Sequence, residues 1–187
     1  MEFRKLINSI KFSYNFNEEL PKKFIERVFI QSEGTTEILV DLIKQSVDNP
    51  PEIKITKDTK LEVSASVIGV SIALMCAGGS GFVTEKQGKK IEKLCRESIG
   101  NDFGHSPKKI HLINERLDEY IEAYNKSWSQ KTNPFNAPAG ILIMRILGEK
   151  NIYIAMMPDG NLSMLTHQMV MDQLMLMMLE PNKIWKL

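Results

Sequence analysis

Gly78-Gly79-Ser80-Gly81 stands a few positions before a run of cations, Lys86, Lys89, Lys90, Lys93 and Arg96. The backbone N–H groups of a glycine-rich loop that opens a helix, with lysines on the first turns, can hold a phosphate or another anion. Ser80, Gly81, Lys86 and Lys89 are the candidate anion-binding set. The spacing departs from the P-loop, which places four residues between its first glycine and Gly-Lys-[Ser/Thr]. Here Gly81 and Gly88-Lys89 are separated by six, and Lys90 stands where the hydroxyl belongs. Phe82 likewise breaks the G-x-S-x-G pattern of a serine nucleophile. The competing reading is a turn followed by a solvated basic helix face.

His111, Glu115, Asp118 and Glu122 recur at offsets of four, three and four, which brings them near one helix face where a divalent metal could be ligated. Carboxylate metal sites in bundles draw on facing helices, and no second segment offers a Glu-x-x-His partner. Glu122 and Lys126 are also spaced as an ordinary ion pair. The expectation is a charged, wet face, without metal or cofactor. His105, in Asn101-Asp102-Phe103-Gly104-His105, and His167 have the side chain for general base chemistry near neutral pH, but no nucleophile, acid or oxyanion donor can be tied to either.

Methionine is the least ordinary feature of the composition. There are 11, eight of them between Met156 and Met178, and Leu174 to Leu179 contains no polar residue. Met side chains repack readily against different surfaces, so Met171, Leu174, Met175 and Met178 are the candidate partner-binding face, for another protein or for a second copy of the chain. The competing reading is a helix enclosed by its own domain.

The remaining composition narrows the function classes. The 187 residues fit one domain spanning 1–187 with a single core. Twenty-four Lys and Arg against 23 Asp and Glu leave a formal charge of +1, which provides no field to gather nucleic acid. Only Cys76 and Cys95 occur, without paired spacing, as expected of two buried thiols in the cytoplasm. Residues 1–20 are interrupted by Arg4, Lys5, Lys11, Glu18 and Glu19, so they contain no apolar export segment.

The elements that must position these groups follow from periodicity. Ile10, Phe12, Tyr14 and Phe16 alternate as in a strand. Phe24, Ile25, Val28 and Phe29 predict a helix over 19–31. A break at Ser32-Glu33-Gly34 and a cap at Thr35 or Thr36 predict a second helix, which Asn49-Pro50-Pro51 ends. Residues 52–63 read as a short hairpin turning at Lys57-Asp58-Thr59-Lys60. Val63 to Thr84 carries no charge over 22 residues, long enough to raise a membrane span. Its glycines leave too few good helical residues to cross, and Ala65, Gly69, Ala73, Ala77 and Gly81 form a small-residue stripe, so a close-packed core helix is expected instead. Thr84 and Gln87 suggest a capping box for a helix ending at Gly100. Ser106-Pro107 opens the clearest helix, with Ile110, Ile113, Leu117, Tyr120, Tyr124 and Trp128 on its buried stripe. Asn133 to Ala139 reads as a loop. Ile141 to Leu147, Asn151 to Met157 and Leu162 to Leu165 read as a small antiparallel meander, although the first could be a helical turn. A last helix spans about 166–179.

The expected fold is α+β and helix-dominated, with about six helices and a few short antiparallel strands or hairpins. The expected function is that of an interaction protein such as an inhibitor, an immunity-type antidote, a chaperone or an assembly subunit, without nucleic acid or membrane. The alternative is a small enzyme or an anion- or nucleotide-binding protein using residues 78–89.

Overall fold

The computed structural model describes residues 19–45, 51–76, 85–101 and 106–148. Five helices occupy this part: α1 (Glu19–Gln45), α2 (Lys57–Cys76), α3 (Glu85–Asn101), α4 (Pro107–Ser129) and α5 (Asn136–Leu147). No strand occurs among the described residues, and this part of the fold is all-α where an α+β fold was expected. The expected strand over residues 10–16, the runs at 151–157 and 162–165, and the helix at 166–179 lie outside the described residues.

Three local expectations fail for identifiable reasons. The first is the break at Ser32-Glu33-Gly34, through which α1 runs without interruption. Ser32 does not cap a new helix. Its hydroxyl donates to the Phe29 carbonyl at 2.7 Å, and the Thr36 hydroxyl donates to the Ser32 carbonyl, so both satisfy themselves within the turn. Gly34 costs a helix roughly 1 kcal/mol relative to alanine. That is less than is gained by the continuous face of Ile25, Val28, Leu39, Val40 and Ile43, all buried.

The second is the hairpin over 52–63. Its supposed turn is the first turn of α2. Thr56 and Thr59 cap each other, the Thr56 N–H donating to Thr59 Oγ1 and the Thr59 N–H to Thr56 Oγ1, both at 3.2 Å. Ile55 stays exposed, so the alternation of Ile53 and Ile55 makes no buried strand face. The third is the strand at Ile141 to Leu147. The helix starts inside the segment read as a loop, where Asn133 Oδ1 accepts the Phe135 N–H at 3.1 Å. Pro138 is tolerated because first-turn N–H groups have no partner within the helix. Pro138, Ala139, Leu142, Ile143 and Leu147 then repeat with a helical period. Gly148, at φ +80°, ends the helix, its N–H donating to the Met144 carbonyl at 2.8 Å.

The uncharged segment supplies the centre of the fold. α2 touches each of the other four helices, and every residue from Leu61 to Ala73 is buried. Val63, Val67, Ile68, Val70 and Ile72 are mediocre helix formers, so burial and not propensity holds this helix. The buried hydroxyls of Ser64 and Ser71 return to the carbonyls of Lys60 and Val67, at 2.9 and 2.6 Å. No helix of the described residues is long and apolar enough to cross a membrane.

The small stripe is used at Gly69. A Cβ placed there would lie 2.9 Å from Tyr120 Cβ and 3.2 Å from the Leu117 carbonyl oxygen, so α2 and α4 meet backbone to backbone. α4 begins as its sequence indicates, with Ser106 as N-cap and Pro107 at the first helical position. Trp128, however, leaves the buried stripe. It is 47% exposed and stacks on Tyr124 at a centroid distance of 6.3 Å, while Ser127 takes the inward position.

Candidate functional site

Among the described residues one charged residue, Glu62, is buried, and it gathers other charges around it. Glu62 follows Leu61 on the inner face of α2, and its side chain is only 11% exposed. Arg116, Glu119 and Tyr120 occupy neighbouring turns of α4, and Arg145 comes from α5. Glu62 Oε2 lies 3.3 Å from Arg116 Nε, and Glu62 Oε1 lies 3.3 Å from Arg145 Nε. Glu119 Oε2 accepts from Arg116 Nη1 at 3.3 Å and from Arg145 Nη2. Each carboxylate thus bridges both guanidiniums, and the four charges alternate around a closed square with no net charge.

Tyr120 completes the inner edge. Its hydroxyl, on a side chain with no exposure, donates to Glu62 Oε1 at 2.6 Å. Burial pushes the Glu62 carboxyl above its ordinary range; the Tyr120 hydrogen bond and the charges of Arg145 and Arg116 work against that rise, and the Glu119 charge adds to it. The Tyr120 hydroxyl is pushed well above its usual value, first by burial and then by the Glu62 charge. Arg116 Nε and Arg145 Nε are buried and make no hydrogen bond, although each sits 3.3 Å from a Glu62 oxygen. The N–H vectors miss the oxygens, and the attraction there is of charge rather than of directed bonding.

The square forms one wall of an open cleft of about 720 Å³. Thr56, Asp58 and Thr59 from the first turn of α2 line a second side, and Ile141, Met144, Ile146 and Gly148 from α5 a third. The cleft therefore presents a charged wall, a hydroxyl-bearing rim with one carboxylate, and an apolar wall. Its size and mixture suit a small organic molecule.

Among the described residues, none of those singled out in the sequence lines this cleft. Ser80 and Gly81 are outside the described residues, as are His105, His167, Met171, Leu174, Met175 and Met178. Lys86 and Lys89 fall on the first turns of α3, with Lys89 exposed. The basic face beyond them is largely paired. Lys93 lies 3.6 Å from Glu97, and Arg96 donates to Glu92 at 2.8 Å, to Asn114 at 3.1 Å and to Asp118 at 2.6 Å. Arg96 thereby ties α3 to α4 and is committed to that task. It also removes Asp118 from the acidic face considered for metal. His111 there sits 3.4 Å from Glu115, and no group of three potential metal ligands occurs among the described residues. Cys95 is buried, in keeping with its place on the apolar stripe of α3.

Glu62, Arg116, Glu119 and Arg145 were not among the candidates, yet a signal for two of them exists. Glu62 is the last charge before 22 uncharged residues, and Arg145 is the lone charge inside Ile141 to Leu147. A charge embedded in an apolar run must find a partner when that run is buried. Glu119 carries no such mark, because its neighbours on α4 are themselves charged.

No protein-family model matches the chain, and no match was found among the curated proteins compared or among the solved structures.

Proposed function

We propose that the chain is a ligand-binding protein whose site is the cleft between the first turn of α2, the middle of α4 and the end of α5. The observation that carries this reading is the charge square on the cleft wall. Two arginines and two glutamates are brought together from three different helices, at the edge of a space large enough for a small metabolite. A site of this kind offers preorganised donors and acceptors beside an apolar surface, the combination that gives both orientation and affinity.

The test uses the full chain with its methionine and isoleucine methyl groups labelled for NMR, titrated with a panel of small metabolites. A ligand of the cleft shifts the methyl signals of Ile141, Met144 and Ile146 together and raises the melting temperature; at a concentration of 100 Kd the gain is about 2.7 kcal/mol. Met144→Trp, which fills the apolar side, abolishes both effects. A square that serves only to hold the helices together gives no coherent shift with any compound, and that result overturns the reading.

A second reading retains the interaction protein expected from the sequence. It is favoured by Ile30 and Ile38 on α1, which are 72% and 57% exposed and lie one turn to either side of the exposed Gly34. Two large apolar side chains flanking a glycine make a stripe that can pair with its own copy across a two-fold axis. Ile38→Glu should then convert a dimer to a monomer in a mass measurement in solution, and a wild-type monomer at high concentration removes this reading.

A further inference from the structure

Resting on the ligand-binding reading of the cleft, we propose that its ligand is a small monocarboxylate with a short apolar body, and that Glu119 is the internal stand-in such a ligand displaces from Arg116 and Arg145. The two carboxylates of the square are held very differently. Glu62 is 11% exposed, receives the Tyr120 hydroxyl and cannot leave without stranding its charge in the core. Glu119 is 38% exposed, and all its hydrogen bonds and ion pairs with described residues are made with the two guanidiniums. A single oxygen, Oε2, receives both of them, and Oε1 accepts from no described residue. A rotation of this side chain exposes the carboxylate to water and opens the position where two arginine forks converge, the geometry that arginine provides for carboxylates.

Charge selects the class of ligand. With Glu119 turned out, Glu62, Arg116 and Arg145 leave one net positive charge on the wall, which a single carboxylate neutralises. Asp58 at the rim adds a negative charge, so a second anionic group, as in a dicarboxylate or a phosphate dianion, meets repulsion. Ile141, Met144 and Ile146 on the same cleft receive the hydrocarbon part.

The experiment titrates hexanoate, hexylammonium and inorganic phosphate into the full-length wild type and into Glu119→Gln and Arg145→Met, with the same methyl signals as readout and far-UV circular dichroism as the check on folding. Hexanoate should bind the wild type, bind Glu119→Gln at least about tenfold more tightly because the internal competitor has lost its charge, and lose its effect on Arg145→Met. Arg145→Lys, which keeps the charge without the fork, should weaken binding and serves if the methionine variant does not fold. Equal affinity of hexanoate for the wild type and Glu119→Gln, or tighter binding of phosphate than of hexanoate, overturns the proposal. Binding of hexylammonium at these methyls without hexanoate overturns it too, while leaving the cleft as a ligand site. Silence of every probe in all variants, with silence across the metabolite panel, removes both.

Discussion

Replacing Gly69 by alanine sets two opposing effects against each other, and the structure decides the sign. In a helix interior the change gains about 1 kcal/mol of backbone propensity, and burying one methyl adds about 0.8 kcal/mol. Against this, the new Cβ would sit 2.9 Å from Tyr120 Cβ and 3.2 Å from the Leu117 carbonyl oxygen. Carbon atoms in contact prefer about 3.5–4.0 Å, so α4 must retreat by about 0.6–1 Å. Neither obstructing atom belongs to a flexible side-chain end, so the movement has to be taken by the backbone. Overpacking of this kind costs about 1–3 kcal/mol. The retreat also draws Tyr120 away from Glu62, weakening a charge-assisted hydrogen bond worth about 1.5–3 kcal/mol. The net expectation is a loss of about 2 kcal/mol, seen as a fall of about 4–8 °C in Tm for a chain of this size. Gly34→Ala is the internal control. Nothing lies within 4 Å of its added Cβ, so the propensity gain stands alone and Tm should rise by about 2–4 °C. Both are measured by thermal and chemical denaturation. A Gly69→Ala protein as stable as the wild type, or more so, would refute the close approach of α2 and α4.

Tyr120→Phe removes a buried hydroxyl together with the bond it donates to Glu62, and chemical denaturation should show a loss of about 1.5–3 kcal/mol; an unchanged midpoint would mean that the bond is absent in solution. The Glu62 carboxyl titrates above its unfolded value, so the folded state holds this proton more tightly than the unfolded state does. Its contribution to stability is accordingly lost as pH rises from about 4.5 through the folded pKa, and Glu62→Gln should gain on the wild type across that window in unfolding curves taken from pH 4 to 8. A difference between the two proteins that is flat with pH, or that grows in the opposite sense, would contradict the burial of this charge. Thr56→Ala, which breaks the mutual cap at the start of α2, should cost about 1 kcal/mol in the same assay, and no loss would show that the cap is not formed.

Local signals in this chain were readable where one effect dominates. Ser106-Pro107 names the start of α4 because the cap hydroxyl and the fixed proline φ act together, and the stripe from Ile113 to Tyr124 names its inner face. The uncharged segment announces α2 as a core helix for the same reason. Errors arose where short apolar runs fit two periods. Ile53 and Ile55 alternate, and Ile141 to Leu147 is long enough for a strand, so what distinguishes a helix lies outside the runs, in the mutual cap of Thr56 and Thr59 and in the turn at Asn133, eight residues before Ile141. Ser32 and Gly34 resemble a stop because their types favour turns, yet the buried face on either side carries the helix through. The candidate site was least legible of all. Its members come from residues 62, 116, 119, 120 and 145, and their meeting depends on the packing of three helices rather than on any spacing along the chain.

That dependence has a physical consequence for how the cleft and the core share a single element. Leu117 and Tyr120 bring α4 against Gly69, while Arg116 and Glu119, on the same turn, face the cleft. The Tyr120 ring belongs to the core and its hydroxyl to the charge square, so one side chain sets the distance between α2 and α4 and also fixes the Glu62 carboxylate. Were α4 held by apolar contacts alone, rotation by a fraction of a turn would cost only repacking. The bond to Glu62 and the two arginine contacts restrict that freedom, because any rotation strands a buried charge. A charge square of this kind contributes modestly to overall stability, since desolvation offsets much of its attraction. What it adds is direction, because it favours the register of three helices in which Arg116 and Arg145 converge on the same carboxylate oxygen.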